Sequence, residues 1–175
     1  MLTLPPRRQK STRRSPIVTA APNNEFALPV AITDPLADLQ PLHLEAVTAG
    51  SPDRALFSRY LARHHYLGFR GPVGENIAYF ARDRHGRELA CMLFGAAAWK
   101  TTPRDGWIGW DDATRVRRLP LLANNSRFLI LPWVRVPHLA SHLLGRIARR
   151  LAADWQTRYG HPVHLLETFV ERRRF

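Results

Sequence analysis

Asn124-Asn125-Ser126-Arg127-Phe128-Leu129-Ile130-Leu131-Pro132-Trp133-Val134-Arg135-Val136-Pro137-His138-Leu139-Ala140-Ser141 reads almost as one unit. Phe128 to Leu131 is a buried-type strand. It runs into a Pro132-Trp133 kink and then to Pro137. That proline suits the first turn of a helix, because its missing N–H is a donor that a helix start leaves unpaired anyway. A helix from Pro137 to Arg158 follows at 3.6-residue spacing. A strand feeding a helix N-terminus brings unpaired N–H groups and the positive end of the helix dipole to one point. Such a point favours a phosphate or another anion, although the same turn also occurs with no ligand.

Upstream of this unit, Ser51-Pro52-Asp53-Arg54 is a helix start, with Ser as N-cap, Pro at the first position and an acid in the first turn. Leu56, Tyr60, Leu61 and His64 then share one side, and the helix is expected to stop before Gly68. Leu67 to Asn76 holds three glycines and a proline and reads as a loop. Its spacing is not that of a P-loop or a dinucleotide-binding turn. Ile77–Arg82 and Glu88–Ala97 read as a hairpin around Asp83-Arg84-His85-Gly86-Arg87, with Gly86 supplying the positive φ. The second of these strands is apolar on both faces, as in the centre of a sheet. Asp111 or Asp112 caps a helix through Ala113 to Leu119. Trp99, Trp107, Ile108 and Trp110 are expected to cap the end of a core, or else to stack on a base or line a pocket.

Downstream, the long helix has one apolar face: Leu139 or Ala140, Leu143, Leu144, Ile147, Leu151 and Trp155. Arg146, Arg149, Arg150 and Arg158 lie away from it and form a candidate nucleic-acid surface. Gly160 fits the left-handed position that ends a helix. Val163 to Val170 is a last strand. Residues 25–50 are a weakly patterned lead-in with a short helix around Leu36–Leu44. The resulting order is helix, strand, strand, helix, strand, long helix, strand. It implies the α/β (α+β) class, with a mixed sheet flanked by helices.

Composition narrows the partners. The chain has 175 residues and a formal charge of +12, from 26 Lys+Arg against 14 Asp+Glu. Only Lys10 and Lys100 are lysines, and the remaining basic residues are arginines, whose planar forks match phosphate bidentately. A pI near 11.3 favours a polyanionic partner, nucleic acid first. A high-GC genome also raises Arg over Lys, but does not by itself explain the net charge. Residues 1–24 carry five positive charges and no acid and read as a disordered basic arm. Either the arm is an electrostatic tether for DNA or RNA, or it is upstream sequence read from a wrongly chosen start codon. The single Cys91 excludes an intramolecular disulfide and a Cys-based zinc site, and its apolar surroundings imply an inert thiol. His64, His65 and His85 do not form a convincing metal set, so no metal is expected. No apolar run approaches the length of a membrane span, and the basic N-terminus lacks the apolar stretch of a signal peptide. The expected compartment is the cytoplasm, without a membrane partner.

Several blocks together carry a family resemblance: His64-His65-Tyr66-Leu67-Gly68, Gly74-Glu75-Asn76, Trp107-Ile108-Gly109-Trp110, Asn124 through Val134, Leu139-Ala140-Ser141 and Leu165-Leu166-Glu167-Thr168-Phe169-Val170. Over roughly residues 51–175 the chain resembles the DruA family, formerly a domain of unknown function and named for the Druantia anti-phage system. Members also occur beside transposases and other mobile elements. The resemblance implies a component of phage defence or of a mobile element, with defence-system or transposon-encoded proteins as partners.

At fold level the strand–kink–helix crossover resembles the GNAT acyltransferases, and Mom-type DNA-modifying proteins are relatives that would fit a basic surface. In that fold the turn corresponding to Val134–Ser141 receives the pyrophosphate of acyl-CoA. The resemblance makes acyl-CoA a candidate cofactor, and Arg135, His138, Leu139, Ala140 and Ser141 the residues that would bind it or another phosphate, although the usual glycines of the turn are missing here and leave the cofactor open. Relatives also continue past the Glu-Thr-Phe-Val strand, which implies that residues 51–175 are a domain incomplete at its C-terminus.

Glu167 is the candidate catalytic carboxylate. It lies mid-strand among apolar residues, where an unpaired acid is costly and a raised pKa would suit a general base. The competing reading is a structural pair with Arg127. Ser141 either donates to an anion or bonds a preceding carbonyl. Asn124 and Asn125 form a turn before the strand or line a pocket. The functional readings are a GNAT-like transferase acting on nucleic acid, a non-catalytic DNA-binding or assembly module, and an inactive gene fragment.

Overall fold

The computed structural model of the chain describes residues 29–170. The expected basic arm, 1–24, and the closing arginines, 172–174, lie outside the described residues. The elements in chain order are α1 (Leu36–Leu39), β1 (His43–Ala46), α2 (Pro52–His64), β2 (Asn76–Arg82), β3 (Glu88–Ala96), α3 (Thr102–Ile108) and α4 (Asp112–Arg118). A 3-10 turn (Leu119–Leu121), β4 (Leu122–Ile130), α5 (Leu139–Tyr159) and β5 (Leu165–Thr168) complete the fold. The five strands form one sheet in the order β1-β2-β3-β4-β5. The first four are antiparallel neighbours, and β4 and β5 are parallel, joined by α5. This is the mixed sheet flanked by helices expected from the element order.

Successive strand residues point to opposite faces, and β2 shows both. Phe80 meets α2, its ring edge-on to Phe57 at 5.5 Å. Its neighbour Tyr79 faces α5, where its hydroxyl donates to Asp154 Oδ2 at 2.7 Å. The sheet is thus covered by α2 on one side and α5 on the other. β3 is the centre, fully buried from Leu89 to Gly95. On α5, Leu139, Leu143, Ile147, Leu151 and Trp155 are buried, while Leu144, expected on that face, turns partly outward. Each aliphatic side chain in that row contributes roughly 1.5–3 kcal/mol by leaving water.

Several local rules hold. Ser51 caps α2 with Pro52 in the first turn, although its hydroxyl donates to Thr48 O rather than accepting from the helix. Asp111 caps α4, accepting from the Thr114 N–H at 2.6 Å. Gly86 in the β2–β3 turn and Gly160 after α5 both adopt positive φ. On α2, Phe57 and Leu61 are the buried residues, with Leu56 and Tyr60 packed at the margin.

Other elements depart from the sequence reading. The lead-in helix stops at Leu39, because Pro41 cannot continue it. The chain then forms β1 and joins the sheet. Ile32 also pairs with Val134, tying the lead-in to the kink after β4. β4 starts at Leu122, so Asn124 and Asn125 are strand residues rather than a turn. Asn has a low strand propensity, which pairing on both sides overrides. Pro137 lies outside α5, which begins one residue beyond His138. α3 was not legible, since Pro103 and Gly106 dilute its pattern. It turns Arg104 and Asp105 inward, and Trp99 and Trp107 stand 61% and 82% exposed rather than capping a core.

Candidate functional site

β4 and β5 stay together only from Leu122–Leu165 to Asn125–Thr168. Beyond that rung β4 continues to Ile130, while β5 ends. Just there β4 also shifts register against β3, where Leu93 faces Arg127 and Phe94 faces Asn125, leaving Ser126 as an extra residue. The Ser126 hydroxyl donates back to Leu93 O at 3.3 Å. Such a bulge bends a strand and re-aims its side chains. The two strands part, and a cleft of about 460 Å³ opens between them.

The cleft gathers residues far apart in the chain. His65, Tyr66 and Leu67 come from the end of α2, Asn124 to Phe128 and Ile130 from β4, Ala140 from the first turn of α5, and Thr168, Phe169 and Val170 from β5 and its end. Four of the sequence blocks that carry the family resemblance therefore meet at one place. Among the described residues no Asp or Glu lines the cleft.

Arg127 is half-buried. Its Nε donates to Gly68 O at 3.0 Å and its Nη1 to Ser126 O at 2.6 Å, and it has no carboxylate partner among the described residues. Burial pushes its pKa below the ordinary arginine value. His65 is buried and stacks on Tyr66, with ring centroids 4.8 Å apart. Its Nδ1 accepts the Leu67 N–H at 3.2 Å, so the neutral ring carries its proton on Nε2. Burial first, and then the Arg127 charge, lower its pKa to about 4. The Oδ1 atoms of Asn124 and Asn125 are buried without a hydrogen-bond partner among the described residues.

The start of α5 lies on the rim. His138 is the N-cap and adopts φ 62, the left-handed region that glycine usually supplies. The N–H groups of Leu139 and His142 are bonded to Val136 O and His138 O. Those of Ala140 and Ser141 have no main-chain partner among the described residues. The Ser141 hydroxyl donates to His138 O at 3.0 Å, the preceding-carbonyl alternative for that residue. Arg135 and His138 are exposed, and the Arg135 N–H bonds Ile32 O. Leu139, expected among the binding residues, is buried in the core, its side chain part of the apolar row of α5.

Glu167 does not line the cleft, although its register partner Asn124 and its neighbour Thr168 do. It is paired, but with Arg104 at 3.3 Å rather than with Arg127. Arg127 lies past the last β4–β5 rung and is drawn instead to two carbonyls. Arg104 also bonds Asp105 Oδ1 and Ala98 O, each at 2.9 Å, and Asp105 faces Arg115 at 3.7 Å. All three of these charged residues are buried. Glu167 thus closes a buried ion-pair network that fastens α3 and α4 to the sheet.

The four arginines assigned to nucleic acid separate into two kinds. Arg146 and Arg150 are half-buried and donate to Leu42 O and Leu44 O. Arg149 and Arg158 are exposed, Arg158 lying over the Tyr159 ring at 5.5 Å. Cys91 is fully buried, and burial pushes its thiol pKa up, away from reactivity. Among the described residues no three His, Cys, Asp or Glu are grouped to hold a metal, and no helix is long and apolar enough to cross a membrane.

The family model of the Druantia protein DruA matches residues 1–175. The chain belongs to the DruA family. It is accordingly a component of the Druantia anti-phage type, which suggests other proteins of such a system as partners. No curated protein matches the chain. In this DruA-family fold, the residues sequence reasoning missed are His65 and Arg127 as cleft residues. Their place in two of the resemblance blocks was the available signal.

Proposed function

We propose that this Druantia component is a GNAT-like transferase acting on nucleic acid, with the β4–β5 cleft as its ligand site. The observation that carries the reading is the parting of β4 from β5 at the Ser126 bulge, beside the start of α5. The residues present fit an acyl-CoA pyrophosphate. The N–H groups of Ala140 and Ser141 are available, Arg135 and His138 stand exposed beside them, and His138 takes the backbone conformation that the missing glycine would have supplied. Bound acyl-CoA would supply an activated acyl group. Glu167 is the candidate base, one residue from the cleft lining along β5. The net charge of +12 and the exposed Arg149 and Arg158 support a nucleic-acid substrate.

A second reading, a non-catalytic DNA-binding or assembly module, draws on the Arg104–Glu167 pair, which leaves the cleft lining without a carboxylate among the described residues. Isothermal titration of the full chain with acetyl-CoA and with duplex DNA separates the two. The transferase reading expects heat from acetyl-CoA in the native chain, lost in Ser141→Tyr with the melting curve unchanged. Binding of DNA alone supports the module, and binding of neither ligand sinks both.

A further inference from the structure

The half-buried Arg127 guanidinium has no carboxylate partner among the described residues. A guanidinium stays protonated in any protein, and taking it partly out of water without a counter-charge is costly. Its partners are two neutral carbonyls, of Gly68 and Ser126. The loop and bulge that hold it there also turn it into the wall of the cleft. His65 shares that wall, its Nε2–H left as a donor because Nδ1 is engaged by Leu67. Asn124 and Asn125 line the cleft as well, their Oδ1 atoms buried and unpartnered among the described residues. With no Asp or Glu in the lining among the described residues, the cleft offers donors and positive charge.

We propose that Arg127 and His65 form an anion subsite inside the cleft, separate from the start of α5, and that it takes a phosphate group of a nucleotide or of a nucleic-acid strand. The chemistry matches: the guanidinium presents N–H donors to phosphate oxygens, and the imidazole Nε2–H adds another. Tyr66, stacked on His65, is placed to cover the adjoining sugar or base. The inference rests on the cleft being the ligand site and not on acyl transfer taking place there.

The test follows the His65 ring by NMR in the full chain. Without ligand, its pKa is held at about 4 by burial and by Arg127, and among the described residues the other titratable side chain facing it is Tyr66. An anion seated between Arg127 and His65 favours the protonated ring and raises that pKa by roughly 1–3 pH units. Inorganic phosphate and pyrophosphate are the first probes. A dinucleotide with and without a 5′-phosphate then distinguishes a terminal phosphate from a backbone diester.

The expected result is a saturable upward shift, abolished in Arg127→Gln, weakened in Arg127→Lys and unchanged in Arg84→Gln, an exposed arginine of the β2–β3 turn. If Arg127→Gln does not fold, the native chain and Arg127→Lys decide. A His65 resonance indifferent to all four probes overturns the subsite. Acetyl-CoA binding by calorimetry with an unmoved His65 leaves the transferase reading standing and removes this one. A shifted His65 without acetyl-CoA binding does the reverse.

Discussion

The Arg150 guanidinium reaches from α5 past the rim of the sheet and donates to the main-chain carbonyl of Leu44 at 2.8 Å. One turn earlier, Arg146 donates to Leu42 O at 2.7 Å. Val47 N–H bonds Ala78 O on β2, so in an antiparallel ladder the carbonyls of Leu42 and Leu44 point the other way, to the open edge. Two arginines that look like a nucleic-acid face therefore cap an edge strand, a place that otherwise invites pairing with another chain. Arg146→Ala is expected to cost about 1.5–3 kcal/mol, the range for a bond from a charged group, and to raise aggregation. Urea unfolding and light scattering check this, with Arg149→Ala as the silent control.

Arg149 and Arg158 are left as the solvent-facing charges of α5. If this helix tracks a duplex, each phosphate contact steepens the fall of log K with log salt by roughly 0.9. Replacing Arg149 with Ala is expected to flatten the slope by about that amount, read by fluorescence anisotropy across a salt series. An unchanged slope in both Arg149→Ala and Arg158→Ala would place the contact surface elsewhere.

Breaking the Arg104–Glu167 pair leaves a buried guanidinium with less counter-charge. Glu167→Gln is expected to destabilise the fold by about 1–3 kcal/mol, since Asp105 still faces Arg104. Thermal melts of Glu167→Gln, Arg104→Gln and the double variant form the cycle. Additive losses would mean that the two side chains do not interact.

Two acid windows should be separable. His65 is neutral in the fold with a pKa of about 4 against an ordinary 6.5. Between those values the unfolded chain binds a proton that the folded chain does not, so stability falls as pH drops from 6.5 towards 4. The loss approaches about 3 kcal/mol. For Asp83, burial raises the pKa, but the Arg87 side chain and the Arg87 and His85 N–H groups outweigh it and hold it below the ordinary 3.8. Its stabilisation is complete above that value and is lost as pH falls through the lower folded pKa. Unfolding free energies from pH 7 to 3 are expected to lose the upper slope in His65→Gln and the lower one in Asp83→Asn.

Local chemistry was enough for much of the fold. The Ser51-Pro52 start of α2, the Gly86 hairpin, the Asp111 cap, the apolar row of α5 and its Gly160 stop each depend on residues within a few positions of one another. Their reading from sequence carries over to the structure. Strand β1 and the strand state of Asn124 and Asn125 depend instead on neighbours supplied by distant segments, and intrinsic propensity argued against them. The candidate site divides in the same way. The strand-to-helix turn at Pro137 was visible because it is contiguous. The partner of Glu167 was not, because Arg104 lies 63 positions away and only the packing of α3 against the sheet brings it there. The cleft belongs wholly to tertiary structure: it exists because a bulge at Ser126 and the short run of β5 let two parallel strands part, and neither event leaves a periodicity to read.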